Sequence, residues 1–218
     1  MRWLLIPLAV AAGAATVLAG QGMPSADALA ARLQARYQTV RDFTADFTQT
    51  YQSGALGLSS PEPERGSLKL SKPLRFRMEY KSPEKKIFVA DGEKLYSYFP
   101  ADHLGSEHPI PEPGQASTAL LFIAGRGDIT RDFTASMPDA QPPNQWALAL
   151  RPRTPQADFT ALTLFVDRQS LQLRGFGWTD QDGGRSVVTF TGLRENRGIP
   201  ASDFDFTFPR GTVIEREP

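Results

Sequence analysis

The stretch that decides the fold is "KPLRFRMEYKSP", from Lys72 to Pro83. Through its middle, large apolar residues alternate strictly with charged ones, and the apolar positions are Leu74, Phe76, Met78 and Tyr80. A period of two predicts a β-strand with one apolar face and one polar face. Such a row of apolar side chains faces either a packed core or an apolar ligand.

The same alternation recurs on both sides of this stretch. Residues 43–51 alternate, and "GSLKLSKPLRFRMEY" is interpreted as two strands that meet near Pro73. The segment "KKIFVADGEKLYSYF" predicts a hairpin, because Asp91 and Gly92 form a strong turn signal between two β-rich runs. The segment "PADHLGSEHPIPEPGQ", residues 100–115, is predicted to be a loop.

The C-terminal half supplies the remaining predicted strands. The segment "NQWALALRP" and three runs within residues 159–193 have strand periodicity, with turns near Asp167 and Asp182. The segment "ASDFDFTFPRG" is predicted to add a last strand with three phenylalanines on one face, namely Phe204, Phe206 and Phe208. The chain therefore reads as mainly β, with many antiparallel strands in series.

Helical signals are few. Residues 25–42 have the spacing of an amphipathic helix, and Ser25 is a good N-cap for it. "STALLFIAGRG", from Ser117, reads as a short apolar helix, with a buried strand as the alternative, and residues 127–137 fit a helical turn. A sheet of this many strands must curl, close or split, and we expect the two helices to cover its apolar face.

The N-terminus has the pattern of a secretory leader. Arg2 precedes an uncharged run from Leu4 to Gly20, and Ala19 closes a plausible cleavage site; a membrane anchor is the alternative. We expect residues 1–20 to be cleaved and residues 21–218 to form a single domain. With no cysteine in the chain, no disulfide, thiol nucleophile or cysteine-linked lipid is available. These features predict a soluble periplasmic protein.

Catalytic and nucleic-acid-binding signals are weak. The formal net charge is zero, so the chain lacks the excess positive charge typical of nucleic-acid-binding proteins. His103 and His108 fall in the predicted loop, and no nucleophile elbow, P-loop or zinc motif occurs. Asp203 and Asp205 could act as an acid and a base, but they fit better as solvated residues. We predict no enzymatic activity, no cofactor and no metal site.

The apolar residues are more informative than the polar ones. The chain contains 14 phenylalanines, and its helical segments are short for the amount of predicted sheet. Apolar strand faces usually form an ordinary core, and that interpretation stays open. The other interpretation is a loosely covered apolar concavity, which suits a lipid ligand.

The order of several segments resembles a known family. The segments are "FTADFTQTY", "GSLKLSKPLRFRMEYKSP", "IFVADGEKLYSYFP", "ALLFIAGRGD" and "FDFTFPRGTVI". Together they resemble the LolA family of periplasmic outer-membrane lipoprotein carrier proteins, from about Leu29 to Val213. The central segment, Gly66 to Pro100, is the most specific part of the resemblance.

The resemblance implies a fold and a function. The fold is an unclosed, strongly curved antiparallel sheet whose concave apolar face is covered by short helices. The function is to accept the acyl chains of lipoproteins from an inner-membrane ABC transporter and to carry them to the outer membrane, to a receptor there if one is present. The carrier would be a monomer that makes and breaks no bond. A lipid-binding sensor or regulatory domain of the same fold is the alternative, although this sequence gives no sign of the anchor or second domain usual in sensors.

The resemblance also assigns roles to residues. The segment "LLFIAG" corresponds to a lid over the cavity, and Lys72 stands where the family commonly has an arginine that latches the lid. Because lysine lacks the forked donors of arginine, we predict a looser closed state; an exposed lysine at a bend is the alternative. The expected cavity residues are Leu33, Phe47, Leu74, Phe76, Met78, Tyr80, Leu120, Leu121 and Phe122.

Overall fold

The computed structural model describes residues 23–54, 57–60, 62–110, 127–156 and 158–216. Its helices are α1 (Ala26–Thr39), α2 (Ile129–Asp132) and a 3-10 turn (Ala201–Phe204). Its strands are β1 (Asp42–Gln52), β2 (Glu64–Ser71), β3 (Arg75–Ser82), β4 (Lys86–Asp91), β5 (Lys94–Phe99), β6 (Leu104–Pro109), β7 (Phe133–Ser136), β8 (Gln145–Pro152), β9 (Ala161–Asp167), β10 (Leu173–Thr179), β11 (Arg185–Glu195) and β12 (Val213–Arg216).

All of these strands form one sheet in the order β12-β6-β5-β4-β3-β2-β1-β11-β10-β9-β8-β7. Neighbours are antiparallel except β12, which runs parallel to β6. The sheet is curved and unclosed, since β12 and β7 lie at opposite edges. The predicted fold class, a curved antiparallel sheet with few helices, is confirmed.

Helix α1 forms where the spacing predicted it. The Ser25 side chain accepts a hydrogen bond from the backbone N–H of Ala28, at 3.3 Å, which caps the first turn. Leu29, Ala30 and Leu33 are buried on the face that belongs to the core, and α1 packs against α2, β7 and β8. This helix therefore covers the β7–β8 side of the sheet.

Below α1 the core side chains are almost completely buried. We call this region the packed end and define it by five side chains with at most 1% exposure: Leu33, Leu148, Leu150, Leu162 and Val166. The strand residues among them lie on the inward face of β8 and β9, as alternation predicts. The predicted turns at Asp167 and Asp182, the β4–β5 hairpin and the helical turn at α2 are all present.

Two strand predictions differ from the structure. The apolar row was expected to start at Leu74, but β3 begins at Arg75, and Leu74 lies in the preceding turn with φ of 60°. The loop predicted for residues 100–115 instead contains β6, at Leu104–Pro109. Strand β6 pairs with β5 on one side and with the distant β12 on the other, a partnership that local alternation cannot reveal.

The strand predicted around Phe204 is also wrong. Residues 201–204 form the 3-10 turn, and residues 205–209 are irregular. Phe206 and Phe208 do share a side, where their rings contact those of Tyr96 and Tyr98 at centroid distances of 5.0–6.3 Å within this group. These contacts lie on the face of β5 opposite Leu95, so the C-terminal segment covers the outer side of the sheet.

The outer face explains the polar residues of this segment. Asp203 accepts a 2.7 Å bond from the ammonium of Lys69 on β2. The Arg77 guanidinium donates to the carbonyl of Asp205 at 3.2 Å. Asp203 therefore fastens the C-terminal segment to the sheet.

Candidate functional site

The inner face of the sheet lines a partly open apolar cavity of about 240 Å³. We call the region around it the open end. Its lining residues come from strands β1, β3, β4, β5 and β10 and from the loop before β9, and they are Gln49, Phe76, Met78, Tyr80, Phe88, Leu95, Asp158, Phe159, Phe176 and Trp178. Eight of these ten residues are aromatic or aliphatic, so the cavity suits hydrocarbon.

Strand β3 contributes the middle of the lining because its side chains alternate. Phe76, Met78 and Tyr80 point inward, while the charged residues between them lie on the outer face. In the register, Met78 stands opposite Phe88 of β4, which also lines the cavity. The original alternating stretch therefore forms one wall of the cavity.

Aromatic edges hold this wall together. The rings of Phe47 and Tyr80 meet edge-on at 4.9 Å, and Tyr80 meets Phe88 in the same way at 5.8 Å. Phe88 in turn contacts Phe99 at 5.9 Å. Edge-to-face contacts of this kind stabilise ring positions beyond simple burial, so the wall is a connected aromatic row.

Polar groups at the cavity are few and are mostly paired. The Tyr80 hydroxyl donates to Oε1 of Gln49 at 2.7 Å. Burial raises the pKa of Tyr80, with a further contribution from Glu64, so the phenol stays protonated. The Lys86 ammonium pairs with Glu64 and lies 5.3 Å from the Tyr80 ring centroid. Asp158 is an exposed carboxylate of the lining.

The expected cavity residues divide into four groups. Phe76, Met78 and Tyr80 line the cavity, whereas Leu33 and Phe47 are buried in the core. Leu74 is partly buried in its turn and packs against the core. Leu120, Leu121 and Phe122 lie outside the described residues, as do the whole "LLFIAG" segment and the leader at 1–20. Lipid binding by any of these residues stays a prediction.

Several lining residues were not predicted. Phe88, Leu95, Phe176 and Trp178 could have been found by extending the alternation of their strands through the register of a curved sheet. Asp158 and Phe159 had no such signal, because they lie in the loop before β9. A loop contribution depends on tertiary contacts that periodicity does not encode.

Lys72 connects the β2–β3 turn with α1. Its ammonium donates to the backbone carbonyl of Tyr37, in the last turn of the helix, and lies 5.7 Å from the Tyr37 ring centroid. A cation at a helix C-terminus satisfies a free carbonyl and interacts favourably with the helix dipole. Burial lowers the pKa of Lys72. The predicted latch toward "LLFIAG" concerns a segment outside the described residues and stays a prediction.

Other contacts fix the same end of α1. The Tyr37 hydroxyl accepts a 2.7 Å bond from the backbone N–H of Leu173 in β10. Burial raises the pKa of Tyr37, and the nearby Glu195 adds to the effect. Arg36 pairs with Glu195 of β11 at 2.6 Å. The side chains of Lys72, Tyr37 and Arg36 therefore bind the C-terminal turn of α1, and the Asn196 amide adds a 3.3 Å bond to the Thr39 carbonyl.

The described residues contain no group of three or more His, Cys, Asp or Glu placed to hold a metal ion. No helix among them has both the length and the apolar character to cross a bilayer. His103 is exposed, and His108, expected in a loop, lies in β6 opposite Leu95.

Relatives match the chain over almost its full length. An outer-membrane lipoprotein carrier protein of Chromohalobacter salexigens is 30% identical over 217 residues, covering 100% of this chain and 99% of the relative. A protein of the same description from Chromobacterium violaceum is 26% identical and covers 92% of this chain and 94% of the relative.

Solved structures give a weaker likeness. An uncharacterized conserved protein from Thermus thermophilus has a TM-score of 0.52 and 12% identity, covering 86% of this chain and 97% of that one. At this identity the likeness concerns the fold alone.

The family model described as "Outer membrane lipoprotein carrier protein LolA" matches residues 38–207. The chain therefore belongs to the LolA family.

Proposed function

We propose that this protein is a periplasmic carrier that binds the acyl chains of lipoproteins in the open-end cavity and moves them from the inner to the outer membrane. The observation that carries the proposal is an apolar cavity on the concave face of a LolA-family chain. The driving force is the removal of hydrocarbon from water, which stabilises the complex by about 0.8 kcal/mol per buried CH₂.

The size of the cavity constrains how cargo is held. An engineered apolar cavity of about 150 Å³ accepts one benzene ring, so a cavity of 240 Å³ has space for roughly ten carbon atoms. That is a segment of one acyl chain and not three full chains. The proposal therefore requires the concave space to widen when cargo enters.

A lid would make both widening and release possible. Leu120, Leu121 and Phe122 are the proposed lid residues, and Lys72 is the proposed latch. Apolar contacts between lid and sheet would compete with cargo, which lowers the net affinity and allows transfer. A rigid, dry pocket of the same composition would bind hydrocarbon too tightly to release it.

The proposed partners follow from the route. Cargo would arrive from an inner-membrane lipoprotein-releasing ABC transporter and leave to the outer membrane, through a receptor if one is present. The leader at residues 1–20 would place the mature chain, a monomer, between the two membranes. The carrier itself would catalyse no reaction and use no cofactor.

The matching family and the relatives are described as lipoprotein carriers. These descriptions favour a carrier over a lipid-binding sensor. The described residues that line the cavity do not suggest the catalytic chemistry of the third candidate, a hydrolase.

Depletion in the native host tests the proposal. When the protein is depleted, lipoproteins should accumulate in the inner membrane, and mass spectrometry of the detergent-extracted protein should find lipoprotein or phospholipid. Met78→Glu places a charge in the cavity and should abolish both cargo retention and rescue. Lys81→Glu, at an exposed position of the same strand, is the matched control and should rescue fully. Normal lipoprotein sorting in depleted cells would refute the carrier function.

A further inference from the structure

A second space adjoins the cavity. A cleft of about 230 Å³ lies between the β8–β9 loop and the start of the β10–β11 turn. Its lining is more polar than that of the cavity and consists of Pro152, Arg153, Pro155, Gln156, Phe159, Thr160 and Gln181. Among the described residues, Phe159 alone lines both spaces.

Phe159 is a buried ring with 1% exposure. It stacks on Phe133 of β7 with the ring planes 8° apart and the centroids separated by 6.5 Å. Phe133 lines neither space, so it supports the Phe159 ring from behind. A buried, stacked aromatic side chain between two spaces acts as a wall.

The neighbouring backbone holds this wall in place. The N–H of Thr160 donates to the carbonyl of Thr179 at 2.8 Å, and the side-chain amide of Gln181 donates to the carbonyl of Gln156 at 2.7 Å. The N–H of Arg153 donates to the carbonyl of Asp132 at 2.8 Å. The loop is therefore bonded to β10 after Phe159, and to α2 and the β10–β11 turn before it.

We infer that Phe159 is a specificity-determining residue that limits the length of acyl chain the cavity accepts. The inference rests on the proposed function, because it takes hydrocarbon as the ligand of the cavity. A chain that enters past Phe76 and Met78 stops at the Phe159 ring. Removing the ring joins the apolar cavity to the polar cleft. The methylene groups of a longer acyl chain can then extend into the cleft.

Displacement of an apolar fluorescent probe by saturated fatty acids of increasing length tests this inference. In the wild-type protein, affinity should rise about fourfold per methylene group until the chain reaches the wall and should then level off. In Phe159→Ala the levelling point, which is the chain length at which affinity stops rising, should move to longer chains. In Phe159→Trp it should move to shorter chains, because the larger ring extends the wall into the cavity.

Phe43→Ala is the matched control, because it removes a buried ring of the same size that lines neither space and contacts the ring of Phe190 rather than that of Phe159; its levelling point should equal that of the wild type. If Phe159→Ala does not fold, Phe159→Leu and Phe159→Trp still predict shifts in opposite directions. Binding with one levelling point in every Phe159 variant would overturn the inference and leave the proposed function intact. No fatty-acid binding by any variant would overturn both.

Discussion

The packed end and the open end are built from strands of the same kind, yet one is filled and the other is hollow. At the packed end, Leu148 and Leu150 alternate along β8 beneath α1, and both are at most 1% exposed. At the open end, Phe76 and Met78 alternate along β3 in the same way, but they face a cavity of about 240 Å³. Alternation therefore sets which side chains point inward and leaves open what they meet there.

The described residues cover the two ends differently. Helix α1 places Leu29 and Leu33 in the core it shares with β8, and four side chains bind its last turn: Arg36, Tyr37, Lys72 and Asn196. Among the described residues, the open end receives only Asp158 and Phe159 from outside the sheet strands. At the packed end the described cover is a helix of 14 residues.

The largest expected contrast comes from one substitution made at both ends. Leu148→Ala should lower the free energy of unfolding by about 3 to 5 kcal/mol, because it creates a cavity in a filled core. Leu95→Ala should cost about 1 kcal/mol, since Leu95 is half-buried and already borders empty space. Urea unfolding of the ligand-free protein measures both. Equal losses would mean that the two ends are packed alike.

Enlarging a side chain should have opposite outcomes at the two ends. Leu148→Phe should destabilise the protein by about 1 to 3 kcal/mol, because a filled core has no space for a larger ring. Met78→Trp should leave stability unchanged or slightly increased, since the indole extends into the cavity, and should weaken binding of an apolar probe. The same unfolding series, together with a probe titration, tests the pair. A comparable loss in both variants would contradict a cavity beside Met78.

Lys72 connects the turn before β3 with α1, and its replacement should have a smaller effect on stability. Lys72→Leu leaves the Tyr37 carbonyl without its charged donor and should cost about 1 kcal/mol, because relief from burying an ammonium offsets part of the lost bond. Lys72→Arg should retain the stability and, if the latch operates, speed the release of bound lipoprotein, because a more firmly closed lid competes better with cargo. Unfolding curves and a release assay report the two effects separately. Identical release rates for the wild type and both variants would exclude a latch role for Lys72.

The smallest expected effect is a pH dependence at the packed end. Backbone hydrogen bonding from Ser170, followed by the Arg174 guanidinium and the Ser170 hydroxyl, lowers the pKa of Asp167 to about 2. A depressed carboxyl pKa stabilises the folded state above the unfolded pKa of about 4, and this contribution is lost as pH falls toward 2. The stability difference between wild type and Asp167→Asn should therefore shrink across that window. A difference that stays constant with pH would exclude the ionised carboxylate as its source.

The sequence was sufficient for the strands whose partners are near in the chain. The β4–β5 hairpin followed from Asp91 and Gly92, and α1 followed from Ser25 and the leucine spacing. It was insufficient for β6, which depends on the distant β12, and for the irregular segment around Phe206. For the cavity, Phe76, Met78 and Tyr80 were accessible from periodicity.

The loop residue Phe159 was not accessible, because a tertiary stack on Phe133 positions it. Leu33 and Phe47 point inward, as alternation and helical spacing predict, and both are buried in the core. Their binding to lipid stays a prediction. The direction in which a side chain points is encoded by the local sequence. Whether that side chain meets a cavity or a core depends on all the elements that pack over the sheet.

Two tryptophans allow the central claim to be tested directly, since Trp178 lines the cavity and Trp146 is buried on β8 under the Arg168 guanidinium, 4.2 Å from its ring. A brominated fatty acid quenches only nearby indoles, so it should quench the fluorescence of mature Trp146→Phe, which retains Trp178. It should leave mature Trp178→Phe, which retains Trp146, unquenched. Equal quenching of the two variants, or none in either, would contradict a hydrocarbon-binding space confined to the open end.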